Sequence, residues 1–159
     1  MDYLAEQAGV SRRTLFNYFD SKLQAVLGPE PEFSDEDTAT FRNGGPTGHL
    51  LSDLGHFAHR HFERMPQERE AVSTMRAVIR DPRVFSACIH RFEELAERVL
   101  ELIRQREGEA YNEVRARVAL GMLIMLCQVA LDHFVDTTDD RGFTDHYDEA
   151  LAAVHTLLA

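Results

Sequence analysis

Residues 118–131, VALGMLIMLCQVAL, form an apolar run broken only by Gln128. As a helix, such a run is apolar nearly all round and has to be covered on more than one side. A small helical bundle can do this, and so can a contact between subunits. The run is too short for a membrane span and suits a buried helix. It makes a helical bundle the expected architecture, with this helix near its centre.

The rest of the body repeats the helical spacing. Residues 49–64 place Leu50, Leu54, Phe57, Ala58 and Phe62 on one side, and residues 67–80 do the same with Val72, Met75, Val78 and Ile79. Asp81-Pro82 breaks the pattern, because proline cannot continue a helix at its own nitrogen. Residues 83–107 then carry Phe85, Cys88, Ile89, Phe92, Leu95, Ala96, Val99, Leu102 and Ile103 at three- and four-residue steps. Helices over 111–135 and 144–158 complete a five-helix body, the last with Tyr147, Leu151, Val154 and Leu158 inward. No stretch alternates as a half-buried strand should, so no sheet is expected. Residues 28–47 are rich in Gly, Pro and acids and read as a linker, with one helical turn around 35–42. The domains are therefore 1–27, the linker 28–47, and a body over 48–159.

The net charge of −10 sits entirely outside residues 1–27, where Arg12, Arg13 and Lys22 balance Asp2, Glu6 and Asp20. So acidic a body repels nucleic acid, and any DNA contact falls to the first 27 residues. Two cysteines, Cys88 and Cys127, are too few for a disulfide framework. With no signal peptide, a cytoplasmic chain is the simplest expectation.

Residues 1–22 read as two short helices joined by a tight turn. Leu4, Ala5 and Ala8 line the first, Gly9 ends it, and Val10 plugs the turn. Ser11 is placed to cap the second, whose apolar face is Leu15, Phe16 and Phe19. This is the layout of a helix-turn-helix that enters the DNA major groove. Arg12 and Arg13 lie near the start of the second helix, where arginine can bond both acceptors of guanine, and Asn17 can do the same for adenine. Thr14 suits a phosphate or a thymine methyl.

This segment resembles the DNA-binding module of the tetracycline-repressor (TetR) family of transcription regulators. The matching residues are Leu4-Ala5, Ala8-Gly9-Val10-Ser11, Thr14-Leu15-Phe16-Asn17-Tyr18-Phe19 and Ser21-Lys22. The resemblance implies an all-α homodimer with a helix-turn-helix head and a C-terminal bundle that binds a ligand and dimerises. It implies a palindromic double-stranded DNA operator, contacted by Ser11, Arg12, Arg13, Thr14 and Asn17, with Tyr18 and Lys22 on the backbone. It assigns dimerisation to about residues 111–158, where Leu123→Glu is expected to part the subunits. Family members also carry a helix ahead of this motif, and Met1 stands where the second helix begins. Two expectations stay open: a start further upstream, or a truncated head on a dimeric ligand-binding or interaction module that does not bind DNA.

By the same resemblance the body holds a small-molecule effector that releases the DNA. The candidate pocket residues are Phe57, His61, Met75, Ile79, Phe92, Met122, Met125 and His133, since methionine and aromatic side chains make adaptable pockets. Each also fits a plain core role. His56, His59 and His61 cluster on one helix without a third ligand at metal spacing, so no metal and no cofactor are expected. Cys127 and His133 show no oxyanion element nearby, and no glycine-rich phosphate loop is present, so an enzyme is not expected.

Overall fold

The computed structural model describes residues 11, 32–65, 69, 72–73 and 82–158. The helix-turn-helix reading, apart from an exposed Ser11, lies outside those residues, as do Met75 and Ile79. Among the described residues the chain is all helical, with five α-helices, one 3-10 turn and no strand.

Helix α1 spans Asp35–Arg42. The Ser34 side chain caps it by accepting from the Asp37 amide, and Asp35, Glu36 and Asp37 face its positive end. The expected single turn is thus a full two-turn helix, closed by an acidic start and Arg42 at its end. Helix α2, Leu50–Phe62, follows after a turn through Gly44, at φ +84°, and Gly48, also at φ +84°. Arg69, Val72 and Ser73 are helical, within the expected 67–80 helix. Helix α3, Pro82–Glu107, opens on the proline itself, whose missing N–H has no partner to lose in a first turn. Gly108, at φ +54°, ends it in the 3-10 turn Gly108–Ala110. Helix α4, Glu113–Asp136, is capped by the Asn112 side chain, which accepts from the Arg115 amide at 2.9 Å. Helix α5, Phe143–Leu158, returns along α4, and these two pack more extensively than any other pair.

The core has two parts. In one, Phe41, Leu54, Phe57, Val99, Leu102, Ile103, Ala116 and Ala119 bring α1 to α4 together. In the other, Ala58, Leu126, Ala130, Tyr147, Ala150 and Leu151 join α2, α4 and α5. Leu123 packs against both, so α4 is the shared wall. Its inward side includes Ala116, Ala119 and Ala130, whose small side chains admit close neighbours. Gly55 does the same on α2: a Cβ there would meet Leu151 Cδ1 at 2.8 Å. The Tyr147 hydroxyl donates to the Gly55 carbonyl at 3.2 Å, and burial raises its pKa.

A buried ion pair ties the first part shut. Arg106, at the end of α3, meets Asp53 on α2 at 2.6 Å, and both side chains are almost wholly inaccessible. Arg106 also donates to the carbonyls of Phe41, Gly44 and Gly45 and lies over the Phe41 ring. Asp53 accepts from the Thr47 amide, the Thr47 hydroxyl and the Gly48 amide at 2.6, 2.7 and 3.1 Å. Burial works against the Asp53 charge, but the two Thr47 bonds and Arg106 outweigh it, and its pKa falls below the ordinary value.

Asp53→Asn should therefore destabilise the fold by about 3–5 kcal/mol, because it leaves Arg106 buried without its counter-charge. Urea unfolding measures this. In the wild type the carboxylate's contribution is complete at neutral pH and is lost as pH falls through the depressed pKa, below about pH 4. The acid slope of stability should flatten in Asp53→Asn; an unchanged slope would refute the assignment.

Candidate functional site

Helix α4 has two unlike sides. Inward-facing Ala116, Ala119, Leu126, Ala130 and Phe134 are buried. On the opposite side Val114, Val118, Met125 and Val129 are 72%, 57%, 59% and 50% exposed. With the exposed Gly121 they fall at steps of four, three, four and four, so they form one continuous stripe along the helix. Ile124 flanks it, and Leu157 on α5 is exposed as well. A Cβ at Gly121 would meet nothing in the chain, so the stripe has an open notch at its middle. Gln128 and Asp132 are exposed on the same side.

Two sequence expectations change here. Leu123 is turned into the bundle and packs against both parts of the core, so it does not belong to the outer face. The apolar run, by itself too short for a membrane span, is also the centre of a helix that reaches spanning length. That helix is 24 residues long, and among those described it is the one helix long and apolar enough to cross a membrane; 28% of its apolar window is buried.

The expected pocket residues divide between inside and outside. Phe57 is buried in the first core part, and His61 is half-buried. Both meet the Phe33 ring, at centroid distances of 4.8 and 5.5 Å. Burial lowers the His61 pKa, and the Arg64 and Arg98 charges add to that. Phe92, Met125 and His133 are exposed and Met122 is half-buried; Met125 stands on the outer stripe, away from the Phe57 side of the bundle. The described residues do enclose an open groove of about 630 Å³, but along another line: Phe33, Thr38, Arg42, Arg98, Glu101, Arg104, Tyr111 and Arg117 are among its walls. Its lining is mixed in charge, and none of the expected pocket residues among those described contributes.

The histidines of α2 are each engaged. His56 Nδ1 is 2.8 Å from the Ser52 carbonyl. His59 has Asp148 at 2.7 Å on one ring nitrogen and Glu63 at 3.5 Å on the other. A denser polar group stands at the turn between α4 and α5. Arg69 donates to the carbonyls of Phe134, Thr137, Asp139 and Arg141 and lies 4.2 Å over the Phe134 ring. Arg141 pairs with Asp139 and Glu149, each at 2.8 Å. The Arg141 side chain, above all, holds the Asp139 carboxyl down at about 2, and it lowers Glu149 too. The buried His146 ring is edge-on to His133, with centroids 5.5 Å apart, and its Nε2 is 3.3 Å from Asp139 Oδ1. Sequence reasoning missed this group, although His133 on one helix and His146 and Glu149, three apart, on the next were visible signals.

Cys127 is held among the residues of the second core part, and burial pushes its thiol up to about 12. The thiolate, which is the nucleophilic form, is then scarce at neutral pH. No protein-family model matches the chain, and no curated protein does.

In a Cys88→Ser background, Cys127 should stay unreactive toward a disulfide reagent at pH 8 in the native state. It should react fully in urea. Rapid native labelling, read by absorbance, would contradict its inert packing.

Proposed function

We propose that this chain is a TetR-like, homodimeric DNA-binding regulator. On this reading a repressor sits on a palindromic operator in the cytoplasm and leaves it when a small molecule binds the body. The observation that carries the reading is the helix-turn-helix pattern of residues 1–22, with Arg12 and Arg13 at the start of the reading helix. The body supports it in one respect: α4, the one described helix of its length that is apolar on average, offers a continuous apolar stripe to the outside.

A second copy is the partner that suits the stripe best. The small-residue notch at Gly121 admits close approach of another helix. Lipid suits it less, since Asp132 and Gln128 stand on the same side and a charge at membrane depth is costly. Pairing two chains would supply two heads, and two heads read paired half-sites. An acidic body keeps the rest of the molecule off the DNA.

Met125→Glu should convert the dimer to a folded monomer by light scattering, because it puts a charge in the middle of the stripe. Leu123→Glu should instead lower the unfolding temperature, because Leu123 faces the core. A Met125→Glu protein that remains dimeric would move the interface elsewhere.

Footprinting on DNA from the chain's own promoter region tests the DNA reading. A symmetric protected site is expected. Arg12→Ala combined with Arg13→Ala should weaken it roughly 30-fold or more, since each paired guanine contact contributes about 1–3 kcal/mol. The dimer should survive. Unchanged affinity refutes the role given to these arginines, and an absence of any protected site refutes the reading.

A further inference from the structure

His133, at the end of α4, and His146 and Glu149, on the first turns of α5, meet at the closed end of the hairpin. Each offers one ligand atom, and these atoms all lie within 4.8 Å of one another. His133 and Glu149 are exposed, and His146 is buried. We propose that these three residues form a binding site for a divalent transition-metal ion of the zinc class.

The imidazole of His146 is the reason to read the group as a site. Its side chain is 0% exposed. Nε2 faces Asp139 Oδ1 at 3.3 Å, while Nδ1 is buried with no hydrogen-bond partner. With the ring proton directed at the carboxylate, Nδ1 is a bare lone pair in the interior. Buried polar atoms are nearly always paired, so one left without a donor calls for an explanation. Metal-ligating histidines characteristically hand their other N–H to a carboxylate, which sets both tautomer and ring orientation. With Nδ1 as the ligand atom, Asp139 would stand in that relation to His146, and the backbone of its turn is held by Arg69.

The other two ligands are accessible and adjustable. Glu149 gives Oε2 to Arg141 at 2.8 Å, which leaves Oε1 outside that pair. Arg141 keeps Asp139 through its Nε in any case, at 2.8 Å. A tetrahedral ion with Zn–N bonds of about 2.0–2.1 Å would bring its ligand atoms to about 3.3 Å from one another. His133 and Glu149, both at the surface, close that distance by rotation toward the fixed His146. Two imidazoles and one carboxylate favour zinc, cobalt, nickel or iron over calcium and magnesium, which take oxygen ligands. Three protein ligands leave a position for water or a small exogenous ligand. The bound ion would join the end of α4 to the start of α5 across the turn. This inference is independent of the DNA reading and holds or fails without it.

The test is Zn²⁺ titration of the chelator-treated full chain by calorimetry, with Co²⁺ absorption reporting the ligand geometry. One ion per chain is expected, with nitrogen and oxygen ligation in the cobalt spectrum. His133→Ala and Glu149→Gln change exposed side chains, so both should keep the wild-type circular dichroism. Each should weaken binding by about tenfold or more. Combined His56→Ala and His59→Ala should leave binding unchanged. No binding to the wild type overturns the proposal. So does binding that survives in both His133→Ala and Glu149→Gln, or that disappears with the α2 histidines.

Discussion

The contact between Asp53 and Arg106 sets the geometry of the first half of the bundle. One guanidinium reaches the end of α1, the turn that follows it, and α2, while standing on α3. One carboxylate organises the start of α2 by gathering Thr47 and Gly48. Neither charge has water to fall back on, so each depends on the other and on main-chain groups fixed by the helices. Breaking a buried pair of this kind is far more harmful than its net contribution to stability suggests. The pair acts as a constraint on shape: it allows α1, α2 and α3 one relative arrangement and penalises others.

That arrangement provides the first wall against which α4 packs, and α5 provides the second. With both in place, α4 still has a third side uncovered. The helix carries alanines together with Leu126 and Phe134 inward, and valines and a methionine outward. Within one chain, the alanines permit tight packing and the valines and Met125 stay exposed. The same helix thus serves as core and as surface, and its composition all round follows from that double use.

Helix existence was legible because apolar spacing and Gly/Pro punctuation agree along the body. Residues 49–64, 83–107, 111–135 and 144–158 correspond to α2, α3, α4 and α5 within two residues at each end. Pro82 and Gly108 stand where those boundaries fall. The side that each α4 residue faces was not legible. A helix apolar all round carries no moment to orient it, so Leu123 and Met125 look equivalent until their neighbours are known. The Asp53–Arg106 pair was equally hidden, because nothing local links residues 53 apart in the chain. The expected pocket was chosen by residue type alone, which does not separate Phe57 in the core from Met125 on the surface. His133, His146 and Glu149 were visible as residues, but only the turn between α4 and α5 makes them neighbours.

Arg69 has a consequence for how this molecule can vary. Its bonds to the turn after α4 go mainly to carbonyl oxygens, at Phe134, Thr137, Asp139 and Arg141. Carbonyls are common to every amino acid, so the arginine reads the path of that turn and little of its lettering. Residues such as Thr138 and Asp140 are exchangeable in this respect as long as the path is kept. Arg69 itself is not, because lysine has a single nitrogen and cannot span four acceptors. Much of the turn's shape is thus specified from a residue more than sixty positions away, outside the segment that adopts it.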